Sequence, residues 1–199
     1  HPFRHIDWKE RAWIRKRAAR RVATKVAEIG VRFYMDFGFL RASTPDLQQP
    51  TTKGGDRVVF SHDGYTSFLL IVDEASRYIW VFLTSSKNPP LNIIKEFFTT
   101  HGLPDGGFIR TDQGGELAGS HAFLNICGKS HYKSEPTGSD TPSQNGNVEI
   151  YIDKLGARVR SLLYGSCLPA KYWSSALLHA VYLHNHLVHS STKRTPLES

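Results

Sequence analysis

The chain has 199 residues, 40% of them hydrophobic, and a formal net charge of +7. That suffices for one domain with its own core, and no apolar run reaches the roughly 20 residues that a membrane-spanning helix needs. Two cysteines, Cys127 and Cys167, exclude a disulfide framework and leave any four-ligand zinc site dependent on histidine. Both are expected as buried free thiols, which fits a reducing compartment.

The charge is unevenly spread. Residues 1–30 hold nine Lys and Arg against three acids, while residues 31–199 hold sixteen against fifteen. The expected organisation is therefore a basic arm over 1–30 and a nearly neutral body over 31–199. In the arm, Ile14, Ala18, Val22 and Val26 recur every four residues and predict a helix with one apolar face. Arg11, Arg15, Lys16, Arg17, Arg20, Arg21 and Lys25 occupy much of the remainder. Such a face binds nucleic acid phosphates with release of counterions; the plainer alternative is a solvated helix surface. An organellar transit peptide has a similar composition, but Asp7, Glu10, Phe3, Trp8 and Trp13 argue against it. The chain opens on His1, so a natural N-terminus upstream is expected.

VRFYMDFGFL over 31–40 predicts a strand with Asp36 inside it. Asp is depleted in strands and costly to bury alone, so it needs a partner, such as an Arg, or a purpose. Polar residues 41–57 predict a surface loop. Residues 64–72 and 77–84 predict a hairpin that joins the Asp36 strand in a three-stranded antiparallel meander. Residues 88–100 predict a helix capped by Asn88 and stopped at Gly102. Phe108 to Asp112 reads as a strand that delivers a carboxylate to its tip before Gly114 and Gly115; an Asx-turn is the alternative. A short helix over 117–127 ended by Gly128, and an extended stretch over 131–136, follow. After a polar loop at 137–147, a helix is predicted from Ser143 or Asn145 through Leu163, with Glu149 in its first turn, where the helix dipole alone would favour an acid. A last helix spans 170–187. His179, His184, His186 and His189 cluster late without metal-ligand spacing.

Strand and helix order predicts an α/β fold, a mixed sheet with helices on its faces. It can bring Asp36, Asp112 and Glu149 to one sheet edge. Three carboxylates there repel one another unless cations lie between them, and Mg²⁺ is held this way by a few carboxylates plus phosphate oxygens. Two such ions about 3.5–4 Å apart serve an in-line phosphoryl displacement. The chemistry expected is metal-assisted phosphoryl transfer on a nucleic acid backbone.

Several stretches carry a family resemblance: residues 34–38 (YMDFG), 72–81 (VDEASRYIWV), 110–116 (RTDQGGE), 142–149 (PSQNGNVE), 168–173 (LPAKYW) and 195–198 (TPLE). With 75 residues between Asp36 and Asp112 and 36 between Asp112 and Glu149, residues 31–198 resemble the catalytic core of Ty1/copia-type retrotransposon integrases, within the retroviral integrase and DDE transposase superfamily. The resemblance implies an RNase H-like five-stranded mixed sheet, with Asp36, Asp112 and Glu149 as catalytic and metal-binding residues for Mg²⁺ or Mn²⁺. It also implies joining of element DNA ends to target DNA, a nuclear location and a possible homo-oligomer. Gln144 and Asn145 would position substrate, and Lys154 and Arg158 would join the arm residues in binding nucleic acid.

The sequence also departs from the family. Glu149 is usually followed by a basic residue and an Asn–Arg pair, but Ile150-Tyr151-Ile152-Asp153 stand here. Residues 1–30 contain no Cys for the family's upstream zinc domain. The alternative expectation is a domesticated, non-catalytic subunit, a scaffold whose basic arm anchors in an RNA-rich or multi-protein assembly, organellar or elsewhere.

Overall fold

The computed structural model describes residues 28–41, 58–112, 115–137, 142–189 and 193–199. Five strands form one sheet: β1 (Arg32–Gly38), β2 (Ser67–Asp73), β3 (Ile79–Thr84), β4 (Gly107–Asp112) and β5 (Tyr132–Thr137). Four helices accompany them among the described residues: α1 (Leu91–His101), α2 (His121–Lys129), α3 (Pro142–Gly165) and α4 (Trp173–His186). The order is β3-β2-β1-β4-β5. The first three strands are antiparallel, and β4 and β5 run parallel to β1. This is the expected mixed five-stranded sheet with its meander.

The strands of the meander read as near-continuous apolar runs because helices cover both sheet faces. Alternate residues then feed two cores. Phe33, Met35 and Phe37 pack with Ile94, Phe97, Phe123 and Tyr132 on the α1/α2 side. Tyr34, Leu70 and Val72 pack with Val148, Leu155, Val159 and Trp173 on the α3/α4 side. The Trp173 ring is fully buried, and its Nε1–H donates to the Val59 carbonyl at 2.8 Å. That satisfies the polar atom of the largest side chain in the core.

The chain enters the sheet under tight control. The Gly30 N–H donates to Asp73 Oδ1 at 2.8 Å, and the Gly30 carbonyl accepts from the Tyr132 hydroxyl at 2.6 Å. Asp73 is fully buried, and its Oδ2 accepts from both the backbone N–H and the hydroxyl of Ser76, each at 2.7 Å. The carboxylate thus shapes the β2–β3 turn and fastens residue 30 to the body. Gly38 has a different role. A Cβ there would run into the ring of buried Phe68, so close packing over β1 requires glycine.

Several element ends differ from expectation. Asn88 does not cap α1: the helix starts at Leu91 after Pro90, without a side-chain cap. Gly128 does not end α2, which begins at His121 with the Ser120 side chain accepting from the Phe123 N–H, and runs to Lys129. The preceding residues 116–119 are turns. Helix α3 starts at Pro142, so Glu149 is the eighth residue and beyond the first turn; the helix-dipole explanation for its charge does not hold. Residues 170–172 form a 3-10 turn before α4. Cys127 is buried as expected, but Cys167 is exposed. It sits at φ 53°, in a turn after α3 that does not pack into the core. Among the described residues, no helix is long and apolar enough to cross a membrane.

Candidate active site

The sheet register brings the two aspartates together. Tyr34 of β1 is the partner of Arg110 of β4 in the parallel pair. Two residues further along each strand stand Asp36 and Asp112, on the same sheet face as Tyr34 because side chains alternate with period two. That face is the α3 side, where Val148 of α3 is buried against the sheet and Glu149 follows it at the surface.

The electrostatics report the same convergence. Burial pushes the Asp36 carboxyl up to about 6. A hydrogen bond from the Phe37 N–H, at 2.7 Å, works against this, while the charges of Asp112, Glu149 and Glu116 add to it. No ion pair among the described residues includes Asp36. The structural partner such as an Arg, one of its two expected explanations, is therefore replaced by a backbone amide and three acids. Asp112 is the last residue of β4 and is exposed. Glu116, absent from the sequence-based candidates, is the fourth member of this field, and its Oε1 lies 3.3 Å from Lys87 Nζ. Its position in RTDQGGE, four residues after Asp112, is the signal that could have found it.

These donors suit a hard cation. All are carboxylate oxygens, and Asp36 is short of countercharge. Among the described residues, no group of three or more His, Cys, Asp or Glu side chains is placed to hold a metal by itself. Mg²⁺ does not require such a cage, since it keeps several waters and binds through one or two carboxylates plus substrate phosphates.

Comparison with known proteins agrees with this architecture. No family model matches the chain. It is 30% identical over 134 residues to a retrovirus-related Pol polyprotein from transposon TNT 1-94 of Nicotiana tabacum, covering 66% of this chain and 10% of that protein. It is 30% identical over 135 residues to that from transposon RE1 of Arabidopsis thaliana, covering 65% and 9%. The chain thus spans about a tenth of the length of these relatives. Among solved structures, a chain of the simian T-cell lymphotropic virus intasome in complex with PP2A regulatory subunit B56 gamma superposes with a TM-score of 0.60 at 16% identity, covering 85% of this chain and 53% of that one. The HTLV-2 integrase catalytic core domain in complex with magnesium, in a trimeric form, superposes with a TM-score of 0.54 at 18% identity, covering 85% and 95%. The chain has the fold of these integrase cores and is similar in sequence to a short part of the transposon Pol polyproteins.

The remaining site candidates fall into three groups. Arg11, Arg15, Lys16, Arg17, Arg20, Arg21 and Lys25 lie outside the described residues, as do residues 138–141. Gln144 and Asn145 belong to the first turns of α3, and their side chains are not among those described. Lys154 and Arg158 follow Glu149 on α3, but they line a cleft toward the end of α4, apart from the carboxylates. Asp153 lies on another side of α3, in a cavity of about 310 Å³ beside Phe37 and Arg160. The late histidines have local partners: His184 Nε2 lies 3.0 Å from the Arg77 carbonyl and His186 Nδ1 2.7 Å from the Tyr182 carbonyl.

Proposed function

We propose that this core carries out integrase-type phosphoryl transfer, joining the ends of element DNA to target DNA with Mg²⁺ or Mn²⁺. The observation that carries the reading is the β1–β4 register, which sets Asp36 and Asp112 on neighbouring strands of one sheet face; the raised Asp36 carboxyl, due first to burial and then to Asp112 and Glu149, agrees with it. Asp36 and Asp112 would hold one ion from adjacent strands. Glu149, with either aspartate, would hold the second from α3. When bound, such ions activate the attacking oxygen and stabilise the leaving one. The sheet supplies rigid placement, because β1 and β4 are fixed by their register. Asp36 must lose its proton to bind a cation, so its contribution rises as pH passes about 6. Gln144 and Asn145 would position the substrate. The basic residues of 1–30, with Lys154 and Arg158, would hold the nucleic acid backbone, in an assembly of more than one copy.

The test is calorimetric titration of Mn²⁺ or Mg²⁺ into the wild-type chain and Asp112→Asn. Saturable binding that the variant loses supports the reading and leads to strand-transfer assays with the same pair. No binding to the wild type, even with a DNA end present, sinks it and leaves the non-catalytic scaffold.

A further inference from the structure

A cleft of about 910 Å³ lies between α3 and the C-terminal end of α4, closed at one side by the β2–β3 turn. Three cations line it: Arg77 from the turn, and Lys154 and Arg158 one helical turn apart on α3. None of the three enters an ion pair among the described residues. In a body with sixteen basic and fifteen acidic residues, that is a local concentration of unneutralised charge. The nearby acid on α3, Asp153, faces the other cavity with Arg160.

Arg77 is held in place at a conformational cost. Its backbone sits at φ 64°, a region that residues other than Gly, Asn and Asp rarely occupy. Its N–H donates to the Asp73 carbonyl at 3.1 Å, and its own carbonyl lies 3.0 Å from His184 Nε2. Its charge acts on the Tyr151 hydroxyl, against the upward push of burial. Rings complete the wall. Tyr151 meets His184 edge-on at 5.5 Å, and His184 meets His189 at 4.3 Å. Burial, and then the charges of His189, Arg158 and Lys154, outweigh the hydrogen bond to Arg77 and bring His184 down to about 4. The rings are therefore neutral at neutral pH, and the positive field in the cleft belongs to Arg77, Lys154 and Arg158. Ile150 and Val188, both largely exposed, form an apolar lip.

We infer that this cleft is a nucleic acid subsite, in which Arg77, Lys154 and Arg158 grip the phosphate backbone while the ring wall and apolar lip receive a sugar or base. The inference rests on the nucleic acid reading proposed above and extends it. Ile150, at the mouth, directly follows Glu149. Arg158 lies nine residues beyond Glu149, about 14 Å along the helix axis. The cleft thus continues the substrate path away from the carboxylates. Arg77 joins it from a part of the sequence with no motif for nucleic acid.

The experiment is fluorescence anisotropy of a labelled DNA duplex with the whole chain in EDTA, over a salt series. Each phosphate that a variant no longer neutralises lowers the slope of log affinity against log salt by about 0.9. Lys154→Gln/Arg158→Gln is expected to lower it by about 1.8, and Arg77→Gln by about 0.9, with at least about tenfold weaker binding for the double variant at 0.1 M salt. Unchanged slopes would overturn the inference. So would poly-glutamate displacing the DNA from the wild type but not from the double variant, since the occupant would then be an acidic protein segment. A second measurement guards against misfolded variants: the His184 and His189 imidazole resonances of the wild-type chain must shift when DNA binds, and still resonances under saturating DNA reject the site. Because EDTA removes metal, this result stands or falls separately from the titration of the carboxylates.

Discussion

Beneath α1 and α2 the sheet is sealed by rings: Phe33 packs edge-on to Phe97 at 5.1 Å, and Phe98 stacks on Tyr132 at 4.8 Å. Beneath α3 and α4 the same sheet supports Trp173 and aliphatic side chains, but it also presents Asp36 and Asp112. Both the cationic cleft and the smaller Asp153 cavity open on that side. One face of β1 is committed to packing, and the other divides its residues between the core and the candidate site. Three substitutions break or sharpen this contrast.

Trp173→Ala removes the anchor of the chemical side and leaves the Val59 carbonyl without its partner. The expected loss is about 3–5 kcal/mol, read as a lower urea midpoint. Metal binding is expected to weaken with it, because Glu149 reaches the site only through the packing of α3. An unchanged midpoint would show that the aromatic side alone holds the sheet.

Gly38→Ala is milder. The new methyl meets the buried Phe68 ring, and overpacking of this kind costs about 1–3 kcal/mol. Thermal unfolding would read it. A neutral result would mean that β1 can shift away from β2 without cost.

Asp36→Asn has the smallest expected effect on stability, and it is a gain. The folded carboxyl is raised from 3.8 to about 6, so the folded state binds the proton more tightly than the unfolded chain does. The wild type is therefore relatively more stable below about pH 4 and loses that advantage as pH rises through about 6. A shift of this size corresponds to about 3 kcal/mol, reduced to about 1–2 by the solvent that still reaches the group. The Asn variant should be more stable by that amount at pH 7.5 and equal to wild type near pH 4. Chemical denaturation at the two pH values checks it. A variant no more stable at pH 7.5 would mean that burial and the neighbouring acids together do not raise Asp36.

The aspartates are legible in the sequence for definite reasons. Asp36 interrupts an apolar strand, and Asp112 ends one before paired glycines. The sheet and its meander follow from runs long enough to read. Helix ends are less legible. Gly128 looks like a stop, yet α2 runs through it because Ser120 starts the helix four residues later than the apolar pattern suggests. Pro142 begins α3 inside what reads as a polar loop, and this moves Glu149 away from the first turn. The cleft is the least legible feature, because Arg77 and His184 are 107 positions apart and belong to segments with separate local patterns.

The fastening of Gly30 fixes where everything before it must begin. Its amide and carbonyl are both held, by Asp73 and Tyr132, at the opposite end of β1 from Asp36. A turn at residues 29–31 and most of β1 separate the two points. Whatever precedes residue 30 is therefore rooted at the end of β1 away from Asp36.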